Sequence, residues 1–189
     1  MKYFQLPLLI ASFFLISGCA SKSVQSTNSS SKSADTYYWK MVSESLKSSL
    51  VCEGKVMPLR YNIYETNYSD LRKLLLKQPA AGSALNLDTT ILTVPIPNGV
   101  PEKFAISQVQ VLPPELSEKY PEIKTYHGKS LEFPEDNIRL DIAPKGISYM
   151  IMSTRGTIIM DPFCISDSVH VIVYFKKDLP EGAKENFEK

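Results

Sequence analysis

The chain is poor in the residue types and spacings that mark the common reactions. It has only two histidines and three cysteines in 189 residues. His127 and His170 stand too far apart to form an H-E-x-x-H pair on one helix, which excludes that kind of zinc protease site. There is no G-x-S-x-G elbow, no P-loop, no G-x-G-x-x-G turn and no C-x-x-C pair. Excess charge is missing as well: 21 basic residues face 20 acidic ones with no basic block, so the electrostatic footprint of a nucleic-acid binder is absent. A catalytic set assembled in space would draw on His127, Asp141, Asp161 and His170. His170 lies in an alternating apolar stretch and reads as a satisfied strand histidine, and Asp161 before Pro162 reads as turn chemistry. We expect no catalytic residue, metal or cofactor, and read the chain as a non-enzyme.

What is present begins at the N-terminus. Residues 1–18 combine a basic start, Met1-Lys2, with an apolar run from Leu6 to Ile16 and then small residues. That run falls short of the roughly 20 residues a helix needs to span a bilayer, so it reads as a removable secretion signal. Ile16-Ser17-Gly18-Cys19 resembles the lipobox of bacterial lipoproteins, which implies cleavage before Cys19 and acylation of that cysteine. Each buried methylene contributes about 0.8 kcal/mol, so two or three acyl chains on Cys19 would anchor the protein stably in membrane lipid. Residues 19–35 are Ser-rich with almost no large apolar side chain, the composition of a flexible tether. Ala20 carries no acidic retention signal and no acidic cluster follows, which places the expected site in the cell envelope, at the outer membrane, with its face left open.

Residues 36–180 have the size of one domain, and 181–189 read as a charged tail that frays. Trp39, Val42 and Leu46 recur at helical spacing and predict a short helix within 37–49. Leu59, Tyr61 and Ile63 alternate with polar neighbours, predicting a strand over 59–64. Ser69 reads as an N-cap for a helix carrying Leu71, Leu74 and Leu75 and ending before Pro79. Strands are predicted over 90–96, 104–112, 138–143, 147–153, 157–161 and 169–175, with one helical turn at 113–120 stopped by Pro121. Close spacing and turn residues between the strands favour antiparallel pairing. The expected class is α+β: mainly antiparallel β-sheet, sandwich-like, with two or three short helices.

Two features outside the regular elements stand out. With Cys19 acylated, Cys52 and Cys164 remain as an even pair in a compartment that permits oxidation, so a disulfide between them is one reading and two separate buried thiols the other. Tyr120, Tyr126 and His127 are grouped in the stretch 120–128 and form a candidate binding surface; alternatively, Ile123 and Tyr126 anchor a short edge strand in the core.

The block Pro114-Glu115-Leu116-Ser117-Glu118-Lys119-Tyr120-Pro121-Glu122-Ile123-Lys124-Thr125-Tyr126, followed by Gly128, resembles the N-terminal region of secreted bacterial reprolysin-like zinc metalloproteases, ahead of their catalytic domain. Other blocks agree in order: the Leu71 to Leu76 helix, Leu92-Thr93-Val94-Pro95-Ile96-Pro97-Asn98-Gly99, Ile138-Arg139-Leu140-Asp141-Ile142, and Gly156-Thr157-Ile158-Ile159-Met160-Asp161-Pro162-Phe163. The similarity runs from about Trp39 to Leu179. It implies a propeptide-like domain, one that assists folding of a protease or keeps it inactive, expected here without the catalytic domain and with a lipoprotein signal. A cysteine thiolate on the protease zinc is one route to inhibition, and it excludes the disulfide reading. The function expected is a membrane-anchored, non-catalytic binding lipoprotein that inhibits or assists an exported metalloprotease or captures another envelope protein. The alternatives are a domain that completes a protease supplied as a separate chain, a structural envelope lipoprotein, or a truncated remnant of such an enzyme.

Overall fold

The computed structural model describes residues 38–76, 89–165 and 167–183, all within one compact unit spanning 33–189. The expected signal peptide, Cys19 and the Ser-rich tether lie outside the described residues, as do Pro79 and Phe187.

Nine strands form one antiparallel sheet. In chain order they are β1 (Trp39–Met41), β2 (Asn62–Thr66), β3 (Thr90–Val94), β4 (Glu102–Val109), β5 (Lys124–Ser130), β6 (Asn137–Ala143), β7 (Gly146–Met152), β8 (Ile158–Pro162) and β9 (His170–Phe175). The last seven make a meander, and β2 then pairs with β9 and β1 with β2. Three short helices accompany them: α1 (Glu44–Lys47), α2 (Tyr68–Leu76) and α3 (Pro114–Lys119). The expectation of antiparallel sheet with a few short helices is met, but the strands join one continuous ladder and no second sheet lies among the described residues.

The sheet curls until its two edge strands approach each other. Trp39 on β1 donates its indole Nε1–H to the Thr93 carbonyl on β3, 2.8 Å away, although these strands stand at opposite ends of the sheet order. Alternation decides which side chains fill the curl. On β4, β6 and β7 the inward set is Phe104 and Ile106, Ile138, Leu140 and Ile142, then Ile147, Tyr149 and Ile151, all buried in one cluster. Leu71 and Leu75, four residues apart on α2, complete that cluster, so α2 lays its apolar face into one end of the curl. Tyr126 on β5 fixes the far end of α2 by donating its hydroxyl to the Leu75 carbonyl at 2.9 Å.

Several expectations need correction. Trp39 and Val42 do not share a helix face: Trp39 enters the curl, Val42 packs on the outer side, Leu46 is exposed, and only residues 44–47 are helical. Tertiary pairing of β1 with β2 overrides the spacing. The predicted strand at 59–64 begins at Asn62, leaving Leu59 exposed. Helix α2 starts before Ser69; Asn67 caps it, its side-chain oxygen accepting from the Asp70 amide at 3.4 Å. The stretch holding Tyr126 is a central strand between β4 and β6, not an edge. Gly128 makes that position workable, because a Cβ there would lie 2.4 Å from the Ala105 carbonyl oxygen. The tail begins in order, with Ala183 buried.

Candidate functional site

The outer face of β2, β8 and β9 is covered by the segment between β1 and β2. Val42, Leu50 and Met57 pack there on Ile63, Phe163, Ile172 and Tyr174. Cys52 and Cys164 join this segment to the β8–β9 connection by a disulfide with 5.6 Å between alpha carbons. Lys55 strengthens the seam by donating to the Pro162 carbonyl at 2.5 Å. Burial pushes its ammonium pKa down, while Asp161 works to raise it. The covering segment and the β8–β9 connection leave aliphatic side chains in solvent. Val51 and Leu59 are each 77% exposed and Ile165 is 86% exposed, and Val51 and Ile165 flank the two bridged cysteines in sequence.

Two clefts open at the two ends of the sheet. One, of about 410 Å³, lies where β2 begins and β9 ends, and carries Lys47, Arg60 and Lys177. Its cations are already engaged. Arg60 sits 2.7 Å from the Asp178 carboxylate, Lys47 donates to the Tyr61 carbonyl at 2.9 Å, and Lys177 lies 5.0 Å from the centre of the Phe175 ring. The other cleft, of about 720 Å³, lies where α2 begins, between Thr66, Arg72, Glu122 and Val169. There the Thr66 hydroxyl and the Arg72 Nε are buried with no hydrogen-bond partner. A buried polar group left unpaired costs about 1–3 kcal/mol, and folded proteins keep few of them. Tyr68, on the same wall, donates its hydroxyl to the Ala143 carbonyl. Burial raises its phenol pKa, and the neighbouring Arg72 guanidinium opposes that shift by its charge and by a hydrogen bond to Tyr68, as does the bond to Ala143.

The residues singled out in the sequence do not come together. Tyr126 is fully buried inside the curl, its phenol pushed up to about 12 by burial. His127, the next residue on β5, points to the opposite, solvent-facing side between Ser107 and Arg139, while Tyr120 is exposed after α3. Period-two alternation therefore splits the proposed surface, and Tyr126 cannot reach a partner. Each of the other candidates has a local partner. Asp141 accepts from Thr125 at 2.5 Å, Tyr174 donates to Asp161 at 2.9 Å, and the His170 ring lies 2.7 Å from Asp167. Burial works to raise the Asp167 carboxyl, but the amides of His170 and Val169 and the His170 ring together hold its pKa below the ordinary value. Among the described residues no group of three or more His, Cys, Asp or Glu side chains is placed to hold a metal ion.

Sequence reasoning missed the ion cluster at the end of the sheet away from α2. Arg155 grips Glu102 with both terminal nitrogens, at 2.5 and 3.0 Å, bonds Asp136, and lies 4.2 Å from the centre of the Phe133 ring. Glu102 and Asp136 are almost wholly buried. The only hint in sequence is Glu102 alternating in phase with Phe104 and Ile106.

No known family model, curated protein or solved structure matches this chain.

Proposed function

We propose that the chain is a lipid-tethered, non-catalytic binding module of the bacterial cell envelope, held at the outer membrane through Cys19. Its domain engages an exported protein, and a zinc metalloprotease of the reprolysin-like kind is the first candidate, by the resemblance of the blocks between Trp39 and Leu179 to the region ahead of such catalytic domains. The observation that carries a binding role is the outer segment, with the β8–β9 connection bridged to it, leaving Val51, Leu59 and Ile165 in solvent. Exposed aliphatics on a segment stapled by Cys52–Cys164 present a contact surface whose ordering cost is met by folding, the condition for tight docking. With both thiols in the bridge, neither offers a thiolate to a zinc ion, so the domain acts by covering a surface of its partner. The sheet itself is taken as a rigid frame for that surface, a curled single layer in place of a two-sheet sandwich.

The test is to pass an envelope extract over the immobilised full chain, identify what is retained by mass spectrometry, and assay proteolysis with and without the chain. We expect a zinc metalloprotease to be retained, its activity to change on binding, and retention to drop at least tenfold for a Val51→Asp, Ile165→Asp variant. Equal retention by the variant, or no protease among the retained proteins, would overturn the reading in favour of a structural envelope role.

A further inference from the structure

The cleft where β2 begins and β9 ends holds more positive charge than its own walls neutralise. Lys47, Arg60 and Lys177 line it against a single carboxylate, Asp178. Arg60 places Nε and Nη2 on one oxygen of Asp178, at 3.0 and 2.7 Å, so its other terminal nitrogen keeps its donors while the side chain stays 77% exposed. Lys177 is exposed as well, and its ammonium rests on the Phe175 ring without a hydrogen bond or ion pair among the described residues. Lys47 is the most engaged of the three: it donates to the Tyr61 carbonyl, lies 4.4 Å from the centre of that ring and has Glu44 3.5 Å away. A ring or a carbonyl holds an ammonium in place without cancelling its charge. An anion entering the cleft therefore meets surface donors on Arg60 and Lys177, from the two sides of Asp178.

Leu59 makes the rim apolar. Its amide donates to the Asp178 carbonyl at 2.8 Å, which pins the backbone, yet its side chain stands in solvent. Leu59 also belongs to the exposed aliphatic set with Val51 and Ile165, so the cleft continues the docking surface proposed above. The two asparagines on the wall are spent on the chain itself, Asn62 on the Pro97 carbonyl and Asn98 on the Val100 amide. A carboxylate suits the remaining donors, because it is the group that Arg60 already holds on its inner side, whereas a doubly charged phosphate so near Asp178 meets twice the repulsion. The whole chain carries a net charge of only +1, so a long polyanion finds no wider field to hold it. At about 410 Å³ the cleft has room for side chains of a partner, and charge beside an apolar rim is the character of a polypeptide.

We propose that this cleft receives an acidic segment of the exported protein that the domain engages, its carboxylates meeting Arg60 and Lys177 while a neighbouring apolar side chain rests on Leu59. The partner rests on the binding-module reading above; the charge and the rim of the cleft do not.

The experiment titrates the full chain with a short end-blocked peptide alternating leucine and glutamate, with its glutamine counterpart and with glutarate, read by calorimetry and by amide chemical shifts. We expect saturable binding of the acidic peptide, about tenfold tighter than the glutamine peptide and weaker as salt is raised, with shift changes centred on Leu59, Asn98 and Lys177. Lys177→Glu should weaken it about tenfold and Leu59→Ser about threefold. Both side chains are exposed, so melting curves of these variants should match the parent. Arg60 is left in place because it also holds the buried Asp178 carboxylate. No saturable binding, equal binding of the glutamine peptide, or unchanged binding by the Lys177→Glu chain would overturn the acidic segment. Glutarate bound as tightly as the peptide would overturn a polypeptide occupant and assign a free carboxylate ligand. The envelope extract separates this inference from the reading beneath it. A protease retained equally by the Lys177→Glu chain and the parent, but lost with Val51→Asp, Ile165→Asp, would leave the docking surface standing and overturn the cleft's part in it. Peptide binding as expected, with no protease retained, would support the cleft and remove the protease as partner.

Discussion

Arg155 shows how one side chain sets the energetics of a region. It is itself partly exposed, yet it is the shared counter-charge of Glu102 and Asp136, both buried. Bonding to those carboxylates, Glu102 first, raises the Arg155 pKa further above its already high value despite the opposing effect of burial, so the guanidinium stays charged. Removing it leaves two buried carboxylates without a cation, and breaking such a pair costs about 3–5 kcal/mol. Arg155→Ala should therefore lower stability by about that amount in urea unfolding, and Arg155→Lys should recover only part, because an ammonium cannot grip Glu102 with two nitrogens. A change below about 1 kcal/mol for the alanine variant would show that the carboxylates find other partners.

At the scale of elements, the long connection between β1 and β2 is mostly irregular and packs on the outer face through a second, smaller core. Its bridge, Cys52–Cys164, closes a sequence separation of 112 residues. In the chain-entropy account a loop of that size stabilises the fold by about 4–5 kcal/mol. Reduction should lower the melting temperature markedly, and a Cys52→Ser, Cys164→Ser chain should match the reduced protein. Equal melting curves for the oxidised and reduced forms would show that burial around Val42 and Phe163 holds the segment without the bridge.

For the molecule as a whole, the notable titrating groups are tyrosines that the fold buries. Tyr64, Tyr68, Tyr126, Tyr149 and Tyr174 all have phenol pKa values raised chiefly by burial, Tyr126 to about 12. A folded pKa above the unfolded value near 10 means that the unfolded chain loses its protons first as pH rises. Their contribution to stability is intact below the unfolded value and is lost as pH rises above it, for Tyr126 through about 12. Absorbance titration of tyrosinate should show these five buried phenols ionising together with loss of the circular dichroism signal. Ionisation of Tyr126 near pH 10 with the sheet intact would contradict the burial described.

The sequence by itself determined the local elements wherever pattern and neighbours agree. Ile138, Leu140 and Ile142 alternate with charged residues, and a period of two can bury only one side of a strand, so β6 was legible without its partners. The stripe of α2 was legible for the same reason at helical period. Tertiary structure alone decided which edge meets which. Nothing local states that Trp39 will reach Thr93, and that contact turns an apparent helical spacing into an edge strand. It also decided where polar groups end up: Thr66 is an ordinary polar residue in sequence, and only the fold leaves its hydroxyl buried without a partner. Hydrogen-bond satisfaction depends on what a residue meets across the whole chain, and composition and periodicity carry no record of that.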